Sequence, residues 1–81
     1  MGLVTRWVET YTSEGLAKAE ALRELNAALG TRYDDSHLSR WERGLREPRR
    51  EAREVMMRRV LPELLPRVAA SKIEEMVRAL L

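Results

Sequence analysis

A chain of 81 residues holds one domain with a modest core. Fifteen basic and 13 acidic residues leave a net charge of +2, too small on its own to demand a polyanionic partner. With no Cys and a single His, disulfides, thiolate metal sites and multi-histidine sites are excluded. No apolar run approaches a membrane span, and the first residues do not form a signal peptide, so the expectation is a cytoplasmic protein with no membrane partner, metal or cofactor.

The predicted elements are all helical. Leu3, Val4, Trp7, Val8 and Tyr11 keep a 3/4 spacing that predicts a first helix over 3–12, ending before Ser13-Glu14-Gly15, with its two aromatics in the core. Leu22, Leu25 and Leu29 continue the spacing through an Ala-, Glu- and Leu-rich stretch, and Gly30 stands where a left-handed C-terminal cap belongs. A third helix is predicted over 35–44. Leu38, Trp41 and Leu45 fall at i, i+3 and i+7 on one side, and Ser36, Arg40 and Arg43 fall on the other. Asp34 or Asp35 can cap its first turn.

Pro48 suits the first position of a fourth helix that runs on Ala52, Val55, Met56 and Val60 until Pro62 interrupts it. Ser71-Lys72-Ile73-Glu74 reads as a capping box ahead of a last helix with Ile73, Met76, Val77 and Leu80 on its apolar face. That face ends in Leu80-Leu81, and a partner subunit or the first helix is expected to cover it. No internal repeat or low-complexity segment interrupts the single domain 1–81.

Charge is unevenly distributed. Residues 31–60 hold nine arginines against six carboxylates, a local balance of +3, and the remainder is slightly acidic. Arginines gathered around an amphipathic helix are the electrostatic footprint that phosphate neutralisation requires. Arginine-rich codon usage would leave the same composition, since only Lys18 and Lys72 are lysines.

Leu29-Gly30, Leu38-Ser39-Arg40-Trp41-Glu42-Arg43-Gly44 and Pro48 resemble the signature of the Cro/C1-type (XRE) helix-turn-helix family over about residues 15–60. The resemblance implies a compact all-α, five-helix Cro/C1 repressor-like domain whose helix 35–44 enters the major groove of double-stranded DNA. It places Asp35, Ser36, His37 and Arg40 at base edges and Lys18 and Arg43 at phosphates, and Arg46, Arg49 and Arg50, around the start of the fourth helix, are expected to reach phosphates as well. The C-terminal helix, through Ile73, Met76, Val77 and Leu80, is expected to form a homodimer on an inverted-repeat operator. Two features depart from the family pattern: five residues, Thr31 to Asp35, separate Gly30 from Ser36, and the second helix lacks a polar start.

The function expected is therefore that of a sequence-specific transcriptional regulator, most simply a repressor, with no small-molecule ligand implied. The alternative is a helical adaptor or inhibitor that turns a helix-turn-helix scaffold on a protein. No catalytic residue is expected: there is no phosphate-binding glycine loop, and the adjacent Asp35-Ser36-His37 cannot converge as a triad.

Overall fold

In a computed structural model, which describes residues 2–81, the chain folds into five helices with no strand among the described residues. They are α1 (Leu3–Thr12), α2 (Lys18–Leu29), α3 (Asp35–Glu42), α4 (Arg50–Leu64) and α5 (Ala70–Leu80). The overall extents are 34 × 27 × 25 Å.

Helices α1 and α4 form the centre. α1 meets α2, α3 and α4, while α4 also packs on α2 and α5. The main core joins Val4, Trp7, Val8 and Tyr11 of α1 to Leu22 and Leu25 of α2, Leu38 and Trp41 of α3, and Ala52, Met56 and Val60 of α4. Each set recurs at three- and four-residue steps, so each helix buries one stripe, and burial of these side chains is the main favourable term in folding.

One side chain fastens the centre. Arg59 of α4 stacks 3.7 Å over the Tyr11 ring and donates to Thr10 Oγ1 at 2.8 Å and to the Thr10 carbonyl at 3.3 Å. Its guanidinium also lies 3.6 Å from Glu14 and 4.0 Å from Glu24. The Tyr11 hydroxyl donates to Glu24 at 3.1 Å, and burial pushes this phenol up to about 12 despite the opposing Arg59 charge.

A second apolar cluster lies at the far end, where Ile73 and Val77 of α5 pack with Leu61 of α4 among Met57, Leu65, Val68, Met76 and Leu81. The last helix therefore covers its apolar stripe on α4, not on α1 as one reading of the sequence had it. Ile73 and Val77 are consumed inside the chain, and Leu80, 62% exposed, is what the stripe leaves in solvent.

Several boundaries differ from the sequence expectation. The third helix stops at Glu42, because Gly44 adopts φ 72° and reverses the chain. Leu45 N–H then donates to the Arg40 carbonyl at 2.9 Å, and Gly44 N–H donates to that of Trp41 at 3.2 Å. This paired capping by the left-handed glycine and the residue after it carries Leu45 off the buried stripe, and it is 60% exposed.

Helix α4 opens at Arg50 after Arg49, not at Pro48, which is itself buried in the connection. Nor does Pro62 interrupt it: helix continues to Leu64. The missing N–H deprives only the Arg58 carbonyl of its helical donor, while Val60 and Leu61, both buried, hold the last turn in place.

The capping box at Ser71 does not form either. α5 begins at Ala70 with Ala69 as its unassisted cap, and Glu74 instead accepts from Arg58 Nε at 2.8 Å.

Candidate nucleic-acid interface

The eight residues of α3 are fixed at both ends and beneath. At the start, Asp34 Oδ1 accepts from Ser36 N–H at 3.0 Å, His37 N–H at 3.2 Å and the Ser36 hydroxyl at 2.7 Å. These donors favour the charged carboxylate and hold it well below the usual range, the Ser36 side-chain bond contributing most. His37 Nδ1 lies 2.9 Å from the same oxygen and 3.2 Å from the Asp34 N–H. That nitrogen accepts from the main chain when unprotonated and donates to the carboxylate when it carries a proton.

Of the two aspartates, Asp34 is therefore the cap. Asp35 stands exposed at the first helical position.

Beneath the helix, Leu38 and Trp41 are buried, at 2% and 8% exposure. Tyr33 meets the Trp41 ring edge-on with centroids 4.8 Å apart, and meets His37 in the same way at 5.2 Å. The exposed side is left to Asp35, Ser36, Ser39, Arg40 and Arg43.

The turn from Thr31 to Asp34 before α3 is organised by a residue the motif did not single out. Asn26 Oδ1 accepts from Tyr33 N–H and from the Thr31 hydroxyl, each at 2.8 Å, and its Nδ2 donates to the Tyr33 carbonyl at 2.9 Å. Its own carbonyl accepts from Gly30 N–H at 2.8 Å and from Thr31 N–H at 3.2 Å, with Gly30 at φ 67°. One amide thus satisfies both edges of Tyr33 and sets the path from α2 to α3. The signal present in the sequence was a lone polar side chain one turn before the capping glycine, in an otherwise Ala- and Leu-rich stretch.

The basic residues divide sharply. Lys18 pairs with Glu42 at 3.1 Å, tying the start of α2 to the end of α3. Arg50 lies 3.4 Å from Glu54, Arg53 3.2 Å from Glu47, and Arg58 2.8 Å from Glu74. Arg40, Arg43, Arg46 and Arg49 have no carboxylate within ion-pair distance among the described residues. Arg40, Arg46 and Arg49 line one cleft with His37.

Among the residues expected at base edges, Arg40 and Asp35 are exposed without partners, whereas Ser36 and His37 are engaged with the Asp34 cap. Those expected at a dimer face, Ile73, Met76, Val77 and Leu80, lie on α5, which packs on α4 away from α3. Among the described residues, no group of three His, Asp or Glu side chains is placed to hold a metal ion, and no helix is long and apolar enough to cross a membrane. Comparison with protein-family models, curated proteins and solved structures finds no match.

Two outcomes test this geometry. Because the folded Asp34 carboxyl is depressed, its contribution to stability is complete above the unfolded value of about 3.9 and is lost as pH falls from about 4 through the lower folded value. Acid titration followed by NMR should show Asp34 protonating below the ordinary Asp range, and Asp34→Ala should remove that component of the acid transition. Asn26→Ala leaves three polar groups of the turn without their partner, and it should lower the unfolding free energy by about 1–3 kcal/mol in chemical denaturation. It should also shift the amide resonances of Tyr33 and His37 more than those of α5.

Proposed function

We propose that the chain is a sequence-specific double-stranded DNA-binding transcriptional regulator, acting in the cytoplasm as a dimeric repressor. The observation that carries this reading is α3 itself. Its apolar side is locked by Leu38 and Trp41, and its outward side presents Asp35 and Arg40 in a field of four arginines without carboxylate partners. An α-helix fits the major groove, and a guanidinium can fork onto guanine O6 and N7. Arg40 takes the base-reading role, with Asp35 able to accept from a cytosine amine. Arg43, Arg46 and Arg49 neutralise phosphates. Lys18 and Arg50, held by Glu42 and Glu54, contribute less, and Ser36 and His37 set the helix start more than they read bases.

The homodimer reading draws on the end of α5, where Leu80 stands exposed on the same helix as half-buried Met76, and on Leu64 of α4, 50% exposed. A twofold pair can set two recognition helices on successive major-groove turns, about 34 Å apart.

One observation favours a second reading. Leu45, 60% exposed between Arg43 and Arg46, gives this face an apolar side chain that phosphates do not need. On that reading the same scaffold binds a protein.

Titration onto operator-containing and random duplexes at several salt concentrations separates the two. A DNA binder loses affinity steeply with salt through counterion release, and an adaptor binds neither duplex. Arg40→Ala should stay folded and lose about 1–3 kcal/mol of discrimination at one base pair per half-site. Arg40→Lys should fall short of full recovery because an ammonium lacks the planar fork. Unchanged sequence preference in Arg40→Ala would refute the base-reading role. For the dimer, Leu80→Glu should give monomers in analytical ultracentrifugation with an unchanged helical spectrum. A dimer that persists in this variant would place the interface elsewhere.

A further inference from the structure

Between the flank of α3 and the start of α4 lies a cleft of about 400 Å³ into which Arg40, Arg46 and Arg49 all face, with Tyr33, His37 and Glu47 completing most of the lining. Glu47 is the single carboxylate in that lining, and its charge is taken by Arg53 at 3.2 Å. His37 lines the cleft with its Nδ1 engaged by Asp34. Three guanidinium groups therefore face one space against a single carboxylate that Arg53 shares, an excess of positive charge that an anion would offset.

We propose that this cleft is a binding site for a phosphomonoester dianion. Guanidinium forks match phosphate oxygens two at a time, and this makes arginine the side chain of choice for such groups. The charge count selects the ligand further. A phosphodiester brings one negative charge, whereas a phosphomonoester near neutral pH brings about −1.5 to −2 and so answers more of the three positive charges. The volume falls in the range of small-molecule sites, about 300–1,000 Å³. Tyr33 and Trp41, packed edge-on with centroids 4.8 Å apart, give the group esterified to phosphate an aromatic contact beside the guanidinium groups.

Two sources supply this chemistry: a free phosphorylated metabolite, and the phosphorylated 5′ end of a nucleic-acid strand. The site stands on its own lining and does not rest on duplex recognition. If duplex recognition also holds, Arg40 belongs to both sites, and the ligand and the operator exclude each other.

The test is calorimetric titration of the full chain, at constant ionic strength, with inorganic phosphate, with phenyl phosphate, and with short single strands bearing either a 5′-phosphate or a 5′-hydroxyl. Saturable one-to-one binding of phosphate and phenyl phosphate is expected, weakened at least tenfold by Arg46→Gln combined with Arg49→Gln. Circular dichroism of the double variant should be unchanged because both side chains are exposed. The paired Lys substitutions, which keep the charge and lose the fork, should fall between. Arg78→Gln, which removes an exposed charge on α5, should leave binding intact.

A strand preferred only when its 5′ end is phosphorylated identifies the chain end as the source. Equal or tighter binding of phenyl phosphate identifies the free monoester. Absence of saturable binding above a chloride control overturns the proposal, as does equal loss in Arg78→Gln or indifference to the 5′-phosphate together with no binding of the free monoester. Duplex affinity measured on the same preparation keeps the outcomes apart. Phosphate binding without duplex binding sinks the operator reading alone, and the reverse sinks the cleft alone.

Discussion

An eight-residue helix has no stability of its own in water, because nucleation costs more than so few hydrogen bonds return. Everything that α3 offers to a partner thus depends on the burial of Leu38 and Trp41 against α1 and the rest of the core. Those two side chains fix rotation about the helix axis, and rotation decides which residues face outward. The caps then fix its length. Asp34 stops fraying at one end, and the left-handed turn at Gly44 ends the helix at the other. The exposed row from Asp35 to Arg43 is a consequence of packing decided on the opposite side.

The electrostatics follow a similar division of labour. Arginines from Arg50 onward on α4 are spent on carboxylates of the same chain: Arg50 and Arg58 on Glu54, Arg53 on Glu47, and Arg59 on Glu14 and Glu24. Most of these pairs are solvent-exposed and contribute little each. Arg59 differs because it is stacked on Tyr11 and hydrogen-bonded to Thr10 as well. The arginines from Arg40 to Arg49 have no such partners. A local excess of +3 read from composition thereby becomes a directional one, concentrated along the end of α3 and the connection into α4.

Periodicity made the helices and most of the core legible, since a stripe at three- and four-residue spacing has one physical use in a small domain. Val4, Trp7, Val8, Tyr11, Leu22, Leu25, Leu38, Trp41, Ala52, Met56 and Val60 all lie where their spacing put them. What periodicity could not show was where a stripe ends. Leu45 continues the spacing of Leu38 and Trp41 on paper, but Gly44 takes the chain out of the helix one residue earlier. Ser71 and Glu74 have the letters of a capping box, yet Arg58, sixteen residues before Glu74, competes for the same carboxylate with a 2.8 Å bond. Long-range partners of this kind are invisible in a local pattern. The candidate interface was legible to the same degree: Arg40 projects as expected, whereas Ser36 and His37 are diverted into a cap whose donors only the folded chain reveals.

The turn of Thr31 to Asp34 shows how an irregular connection can be constrained. A longer connection normally leaves the following helix less constrained, because more residues must be ordered without regular hydrogen bonds. Here the extra length is occupied. Asn26 binds both the N–H and the carbonyl of Tyr33, and the Tyr33 ring then packs edge-on against Trp41 and His37, one in the core stripe and one in the cap. The residue whose backbone closes the turn thus touches, through its ring, the two features that orient α3. Lys18 to Glu42 adds a second link between the helices at the opposite end of α3, though an exposed one. The orientation of the outward arginines is in this way set by a neutral amide and an aromatic ring, neither of which belongs to the charged surface they control.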